Sequence, residues 1–160
     1  WGGLDVDDVM AVVDTALARY TFCDSTRVCM QGGSYGGFMA AYALTHSTRW
    51  RAGFVNAPVT DWRNYDSIYT ERYMGLPAEN SDGYAASALT AQAAKLRGKL
   101  MIAHNIEDDN VLFQNTVQFT NALEASGKQF EMQVYAGKGH SVTGAASRQM
   151  NRCPSVFICG

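Results

Sequence analysis

Two hydrophobic periods alternate along this chain. Val9, Val12, Val13, Ala16 and Leu17 recur at the spacing of one helix face, which predicts a helix over Val6 to Arg19 with Asp5 or Asp7 as its cap. Four compact apolar runs, Val28 to Gln31, Gly53 to Asn56, Leu100 to His104 and Phe130 to Tyr135, are short enough to be buried strands. Helical patterns separate them at Phe38 to Thr45, Ser67 to Met74, Ala85 to Lys95 and Asn115 to Ser126, the last closed by Gly127. The order predicts an α/β fold: a mostly parallel sheet with helices on both faces. Ligands of such sheets gather at the carboxyl ends of the strands, so the loops that follow each strand hold the candidate chemistry.

The first of those loops is a sharp strand-to-helix turn. Arg27-Val28-Cys29-Met30-Gln31 enters Gly32-Gly33-Ser34-Tyr35-Gly36-Gly37, and a helical pattern leaves at Phe38. This is G-x-S-x-G between a strand and a helix, the nucleophile elbow of the α/β-hydrolase fold. The turn strains the serine backbone, and Gly32 and Gly36 are expected where a side chain would collide with the neighbouring strand or helix. Ser34 then projects above the sheet edge. The helix N-terminus brings the Tyr35 amide to the place where an acyl oxyanion would develop.

Composition narrows the class. The chain has 160 residues, 47% of them apolar, enough for a core of its own. Net charge is -2 with scattered lysines and arginines, so nucleic acid and acidic membrane surfaces are poor partners. No apolar stretch approaches the ~20 residues that cross a bilayer. The four cysteines lack metal-ligand spacing; Cys29 reads as a buried thiol, and a disulfide among Cys23, Cys153 and Cys159 stays open. No metal and no organic cofactor is called for.

A serine nucleophile needs a base, and the base needs an acid to orient it. Of three histidines, His46 ends a helix in a solvated position and His104 closes a strand as a structural histidine. His140 follows the last strand through Ala136-Gly137-Lys138-Gly139, at the correct sheet edge, and is the candidate base. The acid belongs between serine and histidine, after a strand. Glu107, Asp108 and Asp109 all qualify, and composition does not choose among them. Asp61 is a further candidate, with a helix cap or turn former as its ordinary role.

Longer strings carry a resemblance. Gly33-Ser34-Tyr35-Gly36-Gly37, Ala57-Pro58-Val59, Tyr69-Thr70-Glu71-Arg72-Tyr73-Met74-Gly75-Leu76-Pro77 and Asp108-Asp109-Asn110-Val111 resemble the dipeptidyl peptidase IV branch of the prolyl oligopeptidase family, from about Leu4 to about Thr143. The resemblance implies a serine exopeptidase of α/β-hydrolase fold that releases dipeptides with proline or alanine second. It assigns Ser34, Asp108 and His140 as the triad, with the Tyr35 amide in the oxyanion hole. Val59, Trp62, Tyr65, Tyr69 and Val111 match substrate-binding positions, and Asn110 matches an asparagine that holds the substrate carbonyl. Aromatic faces suit a flat proline ring. By spacing alone, Tyr65 and Tyr69 at i, i+4 would read as a core stripe.

The resemblance also implies what this sequence does not contain. The family carries a β-propeller and further strands ahead of this segment, with a tyrosine that completes the oxyanion hole, so residues 1–160 correspond to the C-terminal part of the catalytic domain. Residues from about 144 to 160 do not resemble the family's last amphipathic helix, and Pro154 is expected to stop one. A homodimer, and a periplasmic, secreted or cell-surface location, are implied by resemblance alone. The alternative readings are an oligopeptidase or acylaminoacyl peptidase of the same family, or a fragment without a working site.

Overall fold

The computed structural model describes residues 1–159, and its order of elements is the expected alternation. Helix α1 (Leu4–Arg19) precedes strand β1 (Cys29–Gly33), helix α2 (Tyr35–His46) and strand β2 (Ala52–Asn56). Helices α3 (Ser67–Met74), α4 (Ser81–Ser87) and α5 (Leu89–Gln92) lead to strand β3 (Lys99–Asn105). Helix α6 (Gln114–Ala125), strand β4 (Glu131–Tyr135) and helix α7 (Gly144–Cys159) complete the chain. The strands lie in the order β1-β2-β3-β4 and every pair is parallel.

Both faces of this sheet are covered, so side chains alternate between two cores. Val55, Leu100 and Ile102 join one cluster with Phe38, Leu44, Leu89, Phe119 and Leu123 of α2, α5 and α6. Ala52, Phe54, Met101 and Ala103 point the other way, into a cluster with Tyr135 and Phe157. Burying one such large apolar side chain contributes about 1.5–3 kcal/mol, which is why short strands without polar alternation hold the centre.

Several expectations meet corrections. The stretch Ala85 to Lys95 is not one helix: α4 ends at Ser87, the chain turns at Ala88 (ψ 112°), and a 3-10 turn at Ala93–Lys95 follows α5. Fully buried Leu89 takes its place in the core while its amide donates to the Thr60 carbonyl at 2.8 Å, and this tertiary bond replaces continued helix. Helix α1 is capped by neither Asp5 nor Asp7 in the ordinary sense; its N-cap residue is Gly3, and Asp5 turns to Tyr35 instead. Only part of its stripe is covered, with Val9 and Val13 against the core and Val12 exposed.

The tail is the largest difference. Pro154 sits inside α7 rather than ending it. Ala146, Met150, Cys153 and Phe157 fall on one helix face and pack against the second core, and that burial outweighs a proline that removes one hydrogen bond and crowds the carbonyl four residues back. Cys23, Cys29 and Cys153 are free thiols; the Cys159 side chain and Gly160 lie outside the described residues.

The glycines of the elbow divide differently from expectation. A Cβ on Gly32 would stand 2.0 Å from the carbonyl oxygen of Gly36, and one on Gly37 would stand 2.7 Å from the carbonyl oxygen of Asn56. A Cβ on Gly36 itself meets nothing within 4 Å, so Gly36 contributes the backbone that Gly32 must clear, and Gly37 is the second tight position. Backbone cannot swing aside as a side-chain tip can. Gly32→Ala is therefore expected to destabilise the fold by about 3 kcal/mol or more, at the upper end of overpacking costs, and Gly36→Ala by much less, as measured by urea unfolding.

Candidate active site

Ser34 joins β1 to α2 with φ 57° and ψ -121°, the strained conformation that the elbow requires. Its amide donates to Asn56 O at 2.9 Å and its carbonyl accepts from Phe38 N at 3.0 Å, so both sides of the turn are pinned. The side chain is left pointing away from these anchors. Among the described residues the Ser34 hydroxyl makes no hydrogen bond, and no protein group accepts from the Tyr35 amide at the first turn of α2. Catalytic hydrogen bonds in unliganded sites are commonly long.

Asp108 and His140 are brought together. His140 Nδ1 stands 2.8 Å from Asp108 Oδ2, across 32 residues of sequence, with the carboxyl group fully buried and the imidazole partly open. Asp108 Oδ1 accepts from the amides of Asn110 (3.0 Å) and Val111 (2.9 Å), which fixes the carboxylate plane. The other candidate acids do other work. Glu107 accepts from Gly137 N, Asp109 is exposed, and Asp61 caps the turn at Trp62–Asn64 and pairs with Arg63 Nε at 2.8 Å. Asp61 is thus a turn former.

His104 is structural, as expected, and lies on the far side of Asp108. Its Nε2 approaches Val111 O at 2.9 Å and its Nδ1 approaches Thr116 Oγ1 at 2.7 Å. A carbonyl only accepts, so Nε2 carries the proton and Nδ1 accepts from the threonine hydroxyl. Burial holds this imidazole below the ordinary histidine range despite the nearby Val111 carbonyl and Asp108. His46 ends α2 in an exposed position, stacked on Tyr42 at 3.6 Å.

Ser34, Tyr35, Val59, Trp62, Tyr65 and Tyr69 line one cavity of about 130 Å³. That is the space of about four water molecules at ~30 Å³ each, room for one small side chain rather than an extended ligand. A buried pair holds the loop between the lining residues Val59 and Trp62: Thr60 N donates to Asn115 Oδ1 at 3.0 Å and Thr60 Oγ1 to Asn115 O at 2.7 Å. Tyr65 OH donates to Asn110 Oδ1 at 3.0 Å, which joins the cavity to the Asp108 segment and leaves the Asn110 amide nitrogen free to donate. Val111 is fully buried and outside the lining; it acts through its backbone on Asp108 and His104. A larger cavity of about 430 Å³ lies under α7, lined by Lys99, Glu131 and Arg152 among others. Lys99 and Glu131 begin β3 and β4, so that cavity opens at the wrong end of the strands for the chemistry of this fold.

Two contributors had no signal in the sequence. Trp1 packs on Trp62 with ring centroids 4.0 Å apart and on Tyr69 at 5.6 Å, backing the cavity wall. Asp5 Oδ2 accepts from Tyr35 OH at 2.6 Å, tying α1 to the residue after the serine. Asp5 was recognisable only as a cap.

A parallel sheet with a strained Ser34 at the strand-to-helix turn, and an acid and a histidine on later loops of the same edge, defines an α/β-hydrolase domain. A model of the prolyl oligopeptidase family matches residues 1–156, and the chain belongs to that family. Venom dipeptidyl peptidase 4 of Apis mellifera is 37% identical over 146 residues, 88% of this chain and 19% of that protein. Dipeptidyl peptidase 8 of Homo sapiens is 37% identical over 145 residues, 88% of this chain and 16% of that protein. The crystal structure of Porphyromonas gingivalis dipeptidyl peptidase 4 superposes with a TM-score of 0.92 at 38% identity, covering 99% of this chain and 23% of that one. The chain thus spans a fifth or less of the length of these two curated relatives.

The Asp5 carboxyl carries a pH signature. Burial raises its pKa, but the hydrogen bonds from Tyr35 OH, Gly2 N and Val6 N outweigh burial, and the folded value lies below the unfolded one near ~3.9. A depressed carboxyl stabilises the fold above the unfolded pKa, and that contribution disappears as pH falls through the folded pKa. Asp5→Asn is expected to lower the thermal midpoint at pH 6, with the gap to wild type closing as pH falls below about 4. A gap that stays constant from pH 6 to pH 3 would contradict this assignment.

Proposed function

We propose that this chain is the catalytic part of a serine exopeptidase that releases amino-terminal dipeptides with proline or alanine in second position. The observation that carries the reading is the Asp108–His140 pair at 2.8 Å on the same strand-end edge as the Ser34 elbow and its aromatic cavity. Ser34 Oγ attacks the scissile carbonyl while His140 Nε2, the ring nitrogen turned away from Asp108, takes the proton. The tetrahedral oxyanion is held by the Tyr35 amide at the N-terminus of α2. Collapse expels the leaving amine, which receives the proton from His140. Water then repeats the sequence on the acyl-enzyme and frees the dipeptide.

Each remaining residue has a physical task. Asp108 keeps the imidazole in the tautomer whose Nδ1–H faces the carboxylate and stabilises the imidazolium as it forms. Val59, Trp62, Tyr65 and Tyr69 receive a pyrrolidine ring or a methyl group by burial and stacking, and a cavity of about 130 Å³ suits a small residue. Asn110 donates to the substrate carbonyl with the nitrogen that Tyr65 leaves free. Recognition of the free amine by a β-propeller, and a homodimer formed through the hydrolase domain, belong to the proposal through the resemblance alone.

The test is hydrolysis of a Gly-Pro chromogenic substrate by the full-length gene product. Ser34→Ala and His140→Ala are each expected to lower kcat by about 10⁴ to 10⁶, the range of triad deletions. Activity within tenfold of wild type in either variant overturns the mechanism, and equal hydrolysis of an amino-terminally blocked peptide overturns the dipeptidyl specificity.

A further inference from the structure

The segment that carries His140 has little rigidity of its own. Ala136, Gly137 and Gly139 are exposed, and Gly137 takes φ 67°, a conformation open to glycine. Among the described residues, every hydrogen bond that anchors positions 137 to 140 comes from the segment that carries Asp108. Glu107 Oε2 accepts from Gly137 N at 2.6 Å and from Lys138 N at 3.3 Å. Asn105 Nδ2 donates to the Gly139 carbonyl, directly before His140.

Asn105 stands at a junction. It is the last residue of β3, has no exposed surface, and pairs with Tyr135 at the end of β4. Its own carbonyl accepts from the Asp108 amide at 3.3 Å, so one residue holds the backbone of the acid and the backbone beside the base. Among the described residues its Oδ1 is buried without a partner. Burying an unpaired acceptor costs roughly 1–3 kcal/mol, while the nitrogen of the same carboxamide is spent on the Gly139 carbonyl.

We infer that Asn105 is a positioning residue for the reaction, assisted by Glu107: it fixes the Gly139 carbonyl against the end of β3, and so sets where the His140 imidazole stands relative to Asp108 and Ser34. The inference rests on the triad reading above. Its physical basis is preorganisation, since a misplacement of about 1 Å in a reacting group can cost ~100-fold in rate, and a glycine-rich loop does not hold such tolerance unaided. Neither residue contacts substrate; both act through His140.

Hydrolysis of the Gly-Pro substrate by the full-length gene product gives the test. Asn105→Ala is expected to lower kcat by about 10- to 100-fold with KM unchanged, because the aromatic cavity is untouched. Glu107→Ala, at an exposed position where the fold is not at stake, is expected to lower kcat in the same direction by a smaller factor. In a His140→Ala background, Asn105→Ala should add no further loss, since the group it positions is gone. The Nδ1–H proton of His140, expected far downfield in the NMR spectrum of the wild type, should move upfield or broaden in Asn105→Ala. If His140→Ala itself retains activity within tenfold, the triad reading fails first and this inference with it. If His140→Ala abolishes activity while Asn105→Ala leaves kcat within twofold, or if the two losses add in full, only the positioning role of Asn105 is overturned.

Discussion

Ser34 holds a backbone conformation that a serine adopts only under constraint, and the parallel ladder imposes it. Its amide donates to Asn56 O, one residue past the regular β1–β2 pairing, while Gly32 packs directly against the Gly36 carbonyl. A second strained residue stands beside it. Ala57 has φ 42° and donates its amide to Ala103 O at 2.8 Å, so the strain at the end of β2 is supported from β3 as Ser34 is supported from β2. Such conformations cost roughly 1–3 kcal/mol each and persist only where neighbours determine them fully. The neighbours are strand ends, which is why the site cannot be detached from the sheet.

From that edge the remaining chemistry follows by short steps. Asp108 is surrounded by N–H groups: two backbone amides on Oδ1, and on Oδ2 His140 Nδ1 at 2.8 Å and His104 Nε2 at 3.4 Å. A buried carboxylate with this many donors has few other orientations, and the imidazole of His140 inherits the order. The wall of the cavity is ordered differently, by aromatic packing: Trp62 touches Trp1, Tyr35, Phe38, Tyr65 and Tyr69 within 4.0 to 6.3 Å of ring-centroid distance. Polar constraint orders the acid–imidazole pair and apolar constraint shapes the space beside Ser34. Asn110 is where the two meet, bonded to Tyr65 on one side and carried by the Asp108 turn on the other.

The local signals in the chain were those with short-range physics. The sheet class, the boundaries of α3, the elbow at Ser34 and the separate roles of His46 and His104 were legible because each depends on neighbours within a few residues: apolar spacing, glycines around one serine, a strand end. The acid was not legible in that way. Glu107, Asp108 and Asp109 are adjacent and chemically alike, and what separates them is burial and the direction of one side chain, which depend on α6 and β4 some distance along the sequence. The Ala85 to Lys95 stretch failed for a related reason, since its helical period is real but Leu89 is claimed by the core and its amide by Thr60.

The sequence by itself determined the alternation of strands and helices, the identity of the nucleophile candidate and the residues able to serve it, because periodicity and turn chemistry are properties of contiguous residues. Periodicity and spacing left open which carboxylate faces His140 and whether Tyr65 and Tyr69 fill a core, where only the resemblance pointed to Asp108 and to a pocket. The tertiary structure decided both, and it alone showed that α7 tolerates Pro154, that Asp5 and Trp1 pack around the cavity, and that Asn105 bonds the backbone before His140. Each of these is a contact between segments 30 or more residues apart or a balance between local propensity and burial. Contacts of that kind exist only once the chain has closed on itself.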